Sequence, residues 1–88
     1  MNDIHLIYGI HITDRVHKAS EVQHVLTQYG CNIKTRIGLH SVDDKTCSTR
    51  GLILLEMFGD EAACDEMGQK LSAIVGVEVQ KMRFTHPE

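Results

Sequence analysis

The stretch that decides the fold is Ile4-His5-Leu6-Ile7-Tyr8-Gly9-Ile10-His11-Ile12, followed directly by Thr13-Asp14. Ile4, Leu6, Tyr8, Ile10 and Ile12 recur at every second position, while His5, Ile7, Gly9 and His11 take the other side. A period of two describes a strand with one well-marked core face. Behind it, Thr13 or Asp14 offers an oxygen to the free N–H groups of a helix start. From Asp14 to about Tyr29 the period becomes helical. Val16, Ala19, Val22, Val25, Leu26 and Tyr29 share one half of the wheel, and Gly30 supplies the stop.

Cys31 to His40 alternates again, with Ile33, Thr35, Ile37 and Leu39 on one side and Lys34, Arg36, Gly38 and His40 on the other. The polar run 41–49 reads as a loop between strands. Gly51 to Phe58 is the most apolar segment and reads as a central strand. Asp60 then caps a second helix whose buried stripe is Ala63, Cys64, Met67, Leu71 and Ile74. After Gly76, the segment 77–84 makes a last strand. The order strand, helix, strand, strand, helix, strand predicts an α+β, ferredoxin-like βαββαβ fold. In it, a four-stranded antiparallel sheet carries both helices on one face.

Composition agrees with one such domain over residues 1–88. Apolar residues make up 42% and charged residues 24%, ordinary values for a globular chain and inconsistent with disorder throughout. No run approaches the roughly 20 apolar residues of a membrane span. The opening Met1-Asn2-Asp3 has neither a basic region nor an apolar stretch, so no export signal is expected. Three cysteines, with no Cys-x-x-Cys pair, read as a chain from a reducing compartment, and a cytoplasmic location is expected. The net charge of −3 lacks the basic footprint of a duplex binder. Arg50-Gly51-Leu52-Ile53-Leu54-Leu55 sets aliphatics where an RNA-recognition strand needs stacking rings. No nucleophile and base converge in the pattern, so an enzyme is not expected.

At this length folding buries only about 60–65% of the extended chain's surface. The sheet face left uncovered is expected to carry Ile7, Gly9 and two of Ile53, Leu55 and Met57. That is too apolar for water alone, and a homodimer or higher homo-oligomer follows. A charge at Ile7 is expected to break it.

Three segments carry a resemblance: Tyr8-Gly9-Ile10-His11-Ile12, Thr35-Arg36-Ile37-Gly38-Leu39-His40 and Ile74-Val75-Gly76-Val77-Glu78-Val79. Their order and spacing resemble the iron-only hydrogenase system regulators over about residues 4 to 84. That family is similar to the C-terminal ligand-sensing domain of the nickel-responsive repressor and to ACT domains. The resemblance implies a non-enzymatic, oligomeric regulatory domain; with no DNA-binding segment before Ile4, no direct nucleic-acid contact is expected. Against the nickel site, His40 stands at the second His position and Cys47 stands for the Cys, while Gly38 occupies the first His position.

Two site chemistries stay open. His40 and Cys47 would suit a metal, the set the resemblance implies. His11, Arg36 and His40, read with His5 and Lys34 on the uncovered face, would hold an anion, which Arg36 grips bidentately. His17, Glu21 and His24, at i, i+4 and i+7, are a further metal spacing on a helix face that otherwise reads as solvated surface. No cofactor is indicated. The alternative to a ligand sensor is a scaffold module that binds protein only.

Overall fold

A computed structural model describes residues 3–42 and 47–86, with side chains for residues 4–38 and 51–85. Strand β1 (Asp3–Ile12) leads into helix α1 (Arg15–Gln28), a 3₁₀ turn (Gly30–Asn32) and strand β2 (Ile33–Val42). Strand β3 (Cys47–Met57), helix α2 (Glu61–Ser72) and strand β4 (Val77–His86) complete the second half. The sheet order is β2-β3-β1-β4 with every neighbouring pair antiparallel, the ferredoxin-like arrangement that the sequence order predicts. No helix among the described residues is long and apolar enough to cross a membrane.

Local chemistry sets the boundaries. The Asp14 carboxylate accepts from the His17 backbone N–H, and the Asp60 carboxylate accepts from that of Ala62. Each occupies an orphan donor of a first helical turn. Glu61 and Lys70 sit in the first and last turns of α2, the ends where their charges suit the helix dipole. The 41–49 loop is shorter than its polarity suggests, because β2 runs to Val42 and β3 starts at Cys47. Residues 43–46 lie outside the described residues.

The core lies between one sheet face and the helices. β1 supplies Leu6, Tyr8, Ile10 and Ile12, each at most 3% exposed, and α2 closes over them with Cys64, Met67 and Leu71. Gly68 lets α2 approach the sheet: a Cβ there would stand 3.3 Å from the Tyr8 ring. Val22, Val25 and Leu26 of α1 are buried as the wheel predicts, yet Val16 is 69% exposed and Ala19 is also exposed. Both lie in the N-terminal half of α1, and Ala19 lines a cleft between that helix and the β2–β3 strands.

Two face assignments change. The register Tyr8↔Leu55 and Leu6↔Met57 puts Leu55 and Met57 on the core side, where both are buried, and Ile53 packs partly against them. Leu52 and Leu54 therefore take the open face. In β2, Ile33 pairs with Met57 but Thr35 pairs with Glu56, so one residue, Lys34, is extra. This bulge reverses the alternation after Ile33. Thr35 and Ile37 stand on the open face, and Arg36 and Gly38 stand on the helix side.

Candidate functional site

The reversal in β2 decides which site residues meet. His11 pairs with Leu52 and Glu78 and lies on the open face, whereas Arg36 pairs with Leu55 and lies on the helix side. They occupy opposite faces of the sheet, so a single chain does not bring them to one ligand. Lys34 is the extra residue of the bulge, and its ammonium reaches Glu56 at the open-face edge. His40 and Cys47 are placed by backbone only, opposite Gly51 and Val42, and their side chains lie outside the described residues. The His17, Glu21 and His24 spacing builds no metal site. Instead His17 Nδ1 lies 2.6 Å from Asp14 Oδ2, and no cluster of three His, Cys, Asp or Glu fit for a metal occurs among the described residues.

Two surfaces remain, one on each side of the sheet. The open face presents Ile7, Ile37, Leu52, Leu54, Met82 and Phe84. Of these, Ile37, Met82 and Phe84 are 49%, 50% and 47% exposed. A shallow groove of about 380 Å³ crosses it, with His11 and Glu78 at one end and Leu54 and Met82 along it. On the edge strand, Thr35 donates to Glu56 at 2.9 Å and Lys34 lies 3.8 Å from the same carboxylate, so Glu56 fastens β2 to β3.

On the helix side, a cleft of about 530 Å³ opens between the N-terminal half of α1 and β2–β3. Arg15 and Gln23 of α1, Arg36 and Gly38 of β2, and Gly51 and Ile53 of β3 line it. The Arg15 stem lies across Gly51, where a Cβ would come within 3.2 Å of its Cδ. Sequence reasoning found Arg36 but not this cleft. The sequence shows two strand glycines, Gly38 and Gly51, but only the register places both on the helix side.

A third cluster is structural. Tyr8 runs up through the core and donates its hydroxyl to Asp65 at 2.6 Å. Lys81 donates to Asp65 and Glu61 at 2.8 and 2.7 Å, and Arg83 Nε donates to Glu61 at 2.9 Å. The Arg83 hydrogen bond, then that of Lys81, holds the Glu61 carboxyl below its ordinary range. Lys81, then Tyr8, does the same for Asp65. Burial, then the Asp65 carboxylate, pushes the Tyr8 phenol upward. Burial likewise raises the Cys64 thiol, which is therefore an inert core group. The network ties α2 to β4 and seals one end of the core.

No family model matches the chain, and no curated protein does. Solved structures match over nearly its full length. The uncharacterized protein TM1266 of Thermotoga maritima is 23% identical, with a TM-score of 0.76 over 94% of this chain and 98% of that one. The ACT domain from GTP pyrophosphokinase of Chlorobium tepidum is 18% identical, with a TM-score of 0.62 over 92% and 86%. A nitrogen regulatory PII-like protein from Thiomonas intermedia, solved with ADP, AMP and bicarbonate, is 12% identical, with a TM-score of 0.56 over 100% of both chains. What these structures share with the chain is its ferredoxin-like fold, and the proteins that carry it include an ACT domain and a PII-like protein.

Proposed function

We propose that the chain is a non-catalytic, ligand-sensing regulatory domain that works as a homo-oligomer, its subunits meeting through the open face of the sheet. The open face itself carries this reading. Helices cover one side of the four strands, and the other side presents six large apolar side chains, Leu54 near their centre. A single soluble domain rarely leaves so continuous an apolar surface to water. A second copy of the same face is self-complementary in apolar character and satisfies both surfaces at once. The ACT and PII-like neighbours support a sensing role, since the PII-like protein was solved with small ligands bound. A relation to the hydrogenase system regulators is the finer form of the same reading.

Sedimentation velocity across micromolar concentrations tests the assembly. A mass of at least twice the 9.9 kDa chain is expected, and a monomer throughout overturns the open-face reading. Thermal shift tests the sensing role, because a ligand that binds only the folded state raises stability by mass action.

A further inference from the structure

We propose that the cleft between α1 and β2–β3 is a binding site for a small organic carboxylate with an apolar body and no ammonium group. This deepens the ligand-sensing reading and rests on it, but it concerns the face of the sheet away from the proposed subunit contact.

Gly38 is the first observation. Its φ is not in the left-handed region, and a Cβ built there would meet nothing within 4 Å. Neither backbone conformation nor packing requires glycine at this position. Glycine inside a strand weakens it, and marks a bulge, a tight bend or a place where a ligand or another backbone comes close. Here the space a side chain would take is part of the cleft. Arg36, two residues earlier on the same side of β2, is the second. Among the described residues it makes no hydrogen bond or ion pair, so its five donors face the cleft and solvent. A guanidinium fork matches a carboxylate in two parallel hydrogen bonds.

The remaining lining sets the class of ligand. Ile12, Val22 and Ile53 give the inner wall its apolar character, and Ser20 and Gln23 add neutral hydrogen-bonding groups from α1. No Asp or Glu among the described residues lines the cleft, so its described lining offers an ammonium no charged partner. An amino-acid zwitterion would bury a charge without a partner, a cost that its deaminated counterpart avoids. The volume of about 530 Å³ lies inside the range of about 300–1,000 Å³ typical of small-molecule sites.

The test compares isocaproate with L-leucine, isocaproamide and acetate by calorimetry on the full chain. These probes share or lack the carboxylate, the ammonium and the apolar body in turn. Isocaproate is expected to bind in the millimolar range or tighter, with each of the other three weaker by about tenfold or more. Arg36→Gln should weaken isocaproate by a similar factor while circular dichroism and sedimentation stay unchanged. Gly38→Val should abolish binding and, by relieving a strand glycine, raise the Tm of the unliganded protein by about 2–6 °C. The proposal is overturned if isocaproate does not bind, if L-leucine binds equally, or if either variant binds like wild type. A fall in Tm for Gly38→Val also overturns it, since glycine would then have a structural reason. A monomeric wild type that still binds isocaproate would instead refute the open-face assembly and leave the cleft standing.

Discussion

Leu54→Asp is the perturbation that separates an assembling sheet from a merely apolar one. Leu54 sits on β3 with Gly9 of β1 on one side and Ile37 of β2 on the other, near the middle of the open face. In a two-fold assembly through that face each residue occurs twice, so one substitution places two carboxylates in the contact. An uncompensated buried charge costs about 3–5 kcal/mol. The lost burial of a leucine side chain adds about 1.5–3 kcal/mol. Taking only about 3 kcal/mol in all, at about 1.4 kcal/mol per tenfold, the dissociation constant rises by more than about a hundredfold. If both copies count in full, the rise is about ten-thousandfold. The monomer's own fold should survive, since Leu54 is only half-buried within the chain. Sedimentation velocity at several concentrations reads the shift, with circular dichroism confirming the fold. Ile37→Asp, at a side chain already 49% exposed, should act in the same direction with no burden on folding. Val75→Asp, at an 80% exposed side chain beyond α2, should leave the mass unchanged. Leu54→Asp and Ile37→Asp both sedimenting as wild type would refute the reasoning.

Further outcomes test the fold that carries these surfaces. Gly59 has φ +93°, and a Cβ there would stand 2.9 Å from the Asn32 side-chain nitrogen, so Gly59→Ala should cost at least about 1–2 kcal/mol in urea unfolding. Glu61 and Asp65 have carboxyl pKa values lowered by their Arg83 and Lys81 partners. Their stabilisation is therefore present above the ordinary carboxylate range near about pH 4 and is lost as pH falls below it, which thermal melts across acid pH will trace. Tyr8 shows the opposite sign. Its folded pKa lies above the ordinary value of about 10, so the unfolded chain ionises first and stability falls as pH rises past that point. Tyr8→Phe should flatten this alkaline fall, and an unchanged alkaline profile in the variant would contradict the assignment.

The contrast between β1 and the β2–β3 hairpin shows what a sequence pattern can and cannot specify. In β1 the alternation is lopsided, five large apolar groups against His5, Ile7, Gly9 and His11, so the core side is legible at once. In β3 both alternating sets are apolar, Leu52 and Leu54 against Ile53, Leu55 and Met57. Period two then separates the faces without saying which one the helices cover. The answer comes from the β1 register, Tyr8 against Leu55, which joins residues 47 positions apart. In β2 the extra residue at Lys34 has no local signature, and an alternation carried straight through it sends Arg36 to the wrong face. The alternation groups His11 with Arg36, and the bulge parts them. The Tyr8–Asp65 bond spans 57 residues, beyond the reach of any local pattern, although a buried tyrosine by itself requires a partner for its hydroxyl.

β3 is the wall the two proposed surfaces share. Gly51 and Ile53 border the helix-side cleft, while Leu52 and Leu54 border the open-face groove, and Leu52 reaches the margin of both. Successive residues of one strand cannot be displaced independently, because their side chains leave one backbone on opposite sides. A ligand that pressed on Gly51 or Ile53 would act on the backbone that positions Leu52 and Leu54. Coupling of this kind is reciprocal: whatever factor a ligand applies to association, association applies to the affinity for the ligand. A cleft on the opposite side from the proposed subunit contact is thus compatible with the proposed sensing role. It keeps the ligand out of the interface while leaving a single strand between them, and a ligand placed there can alter assembly without becoming part of it.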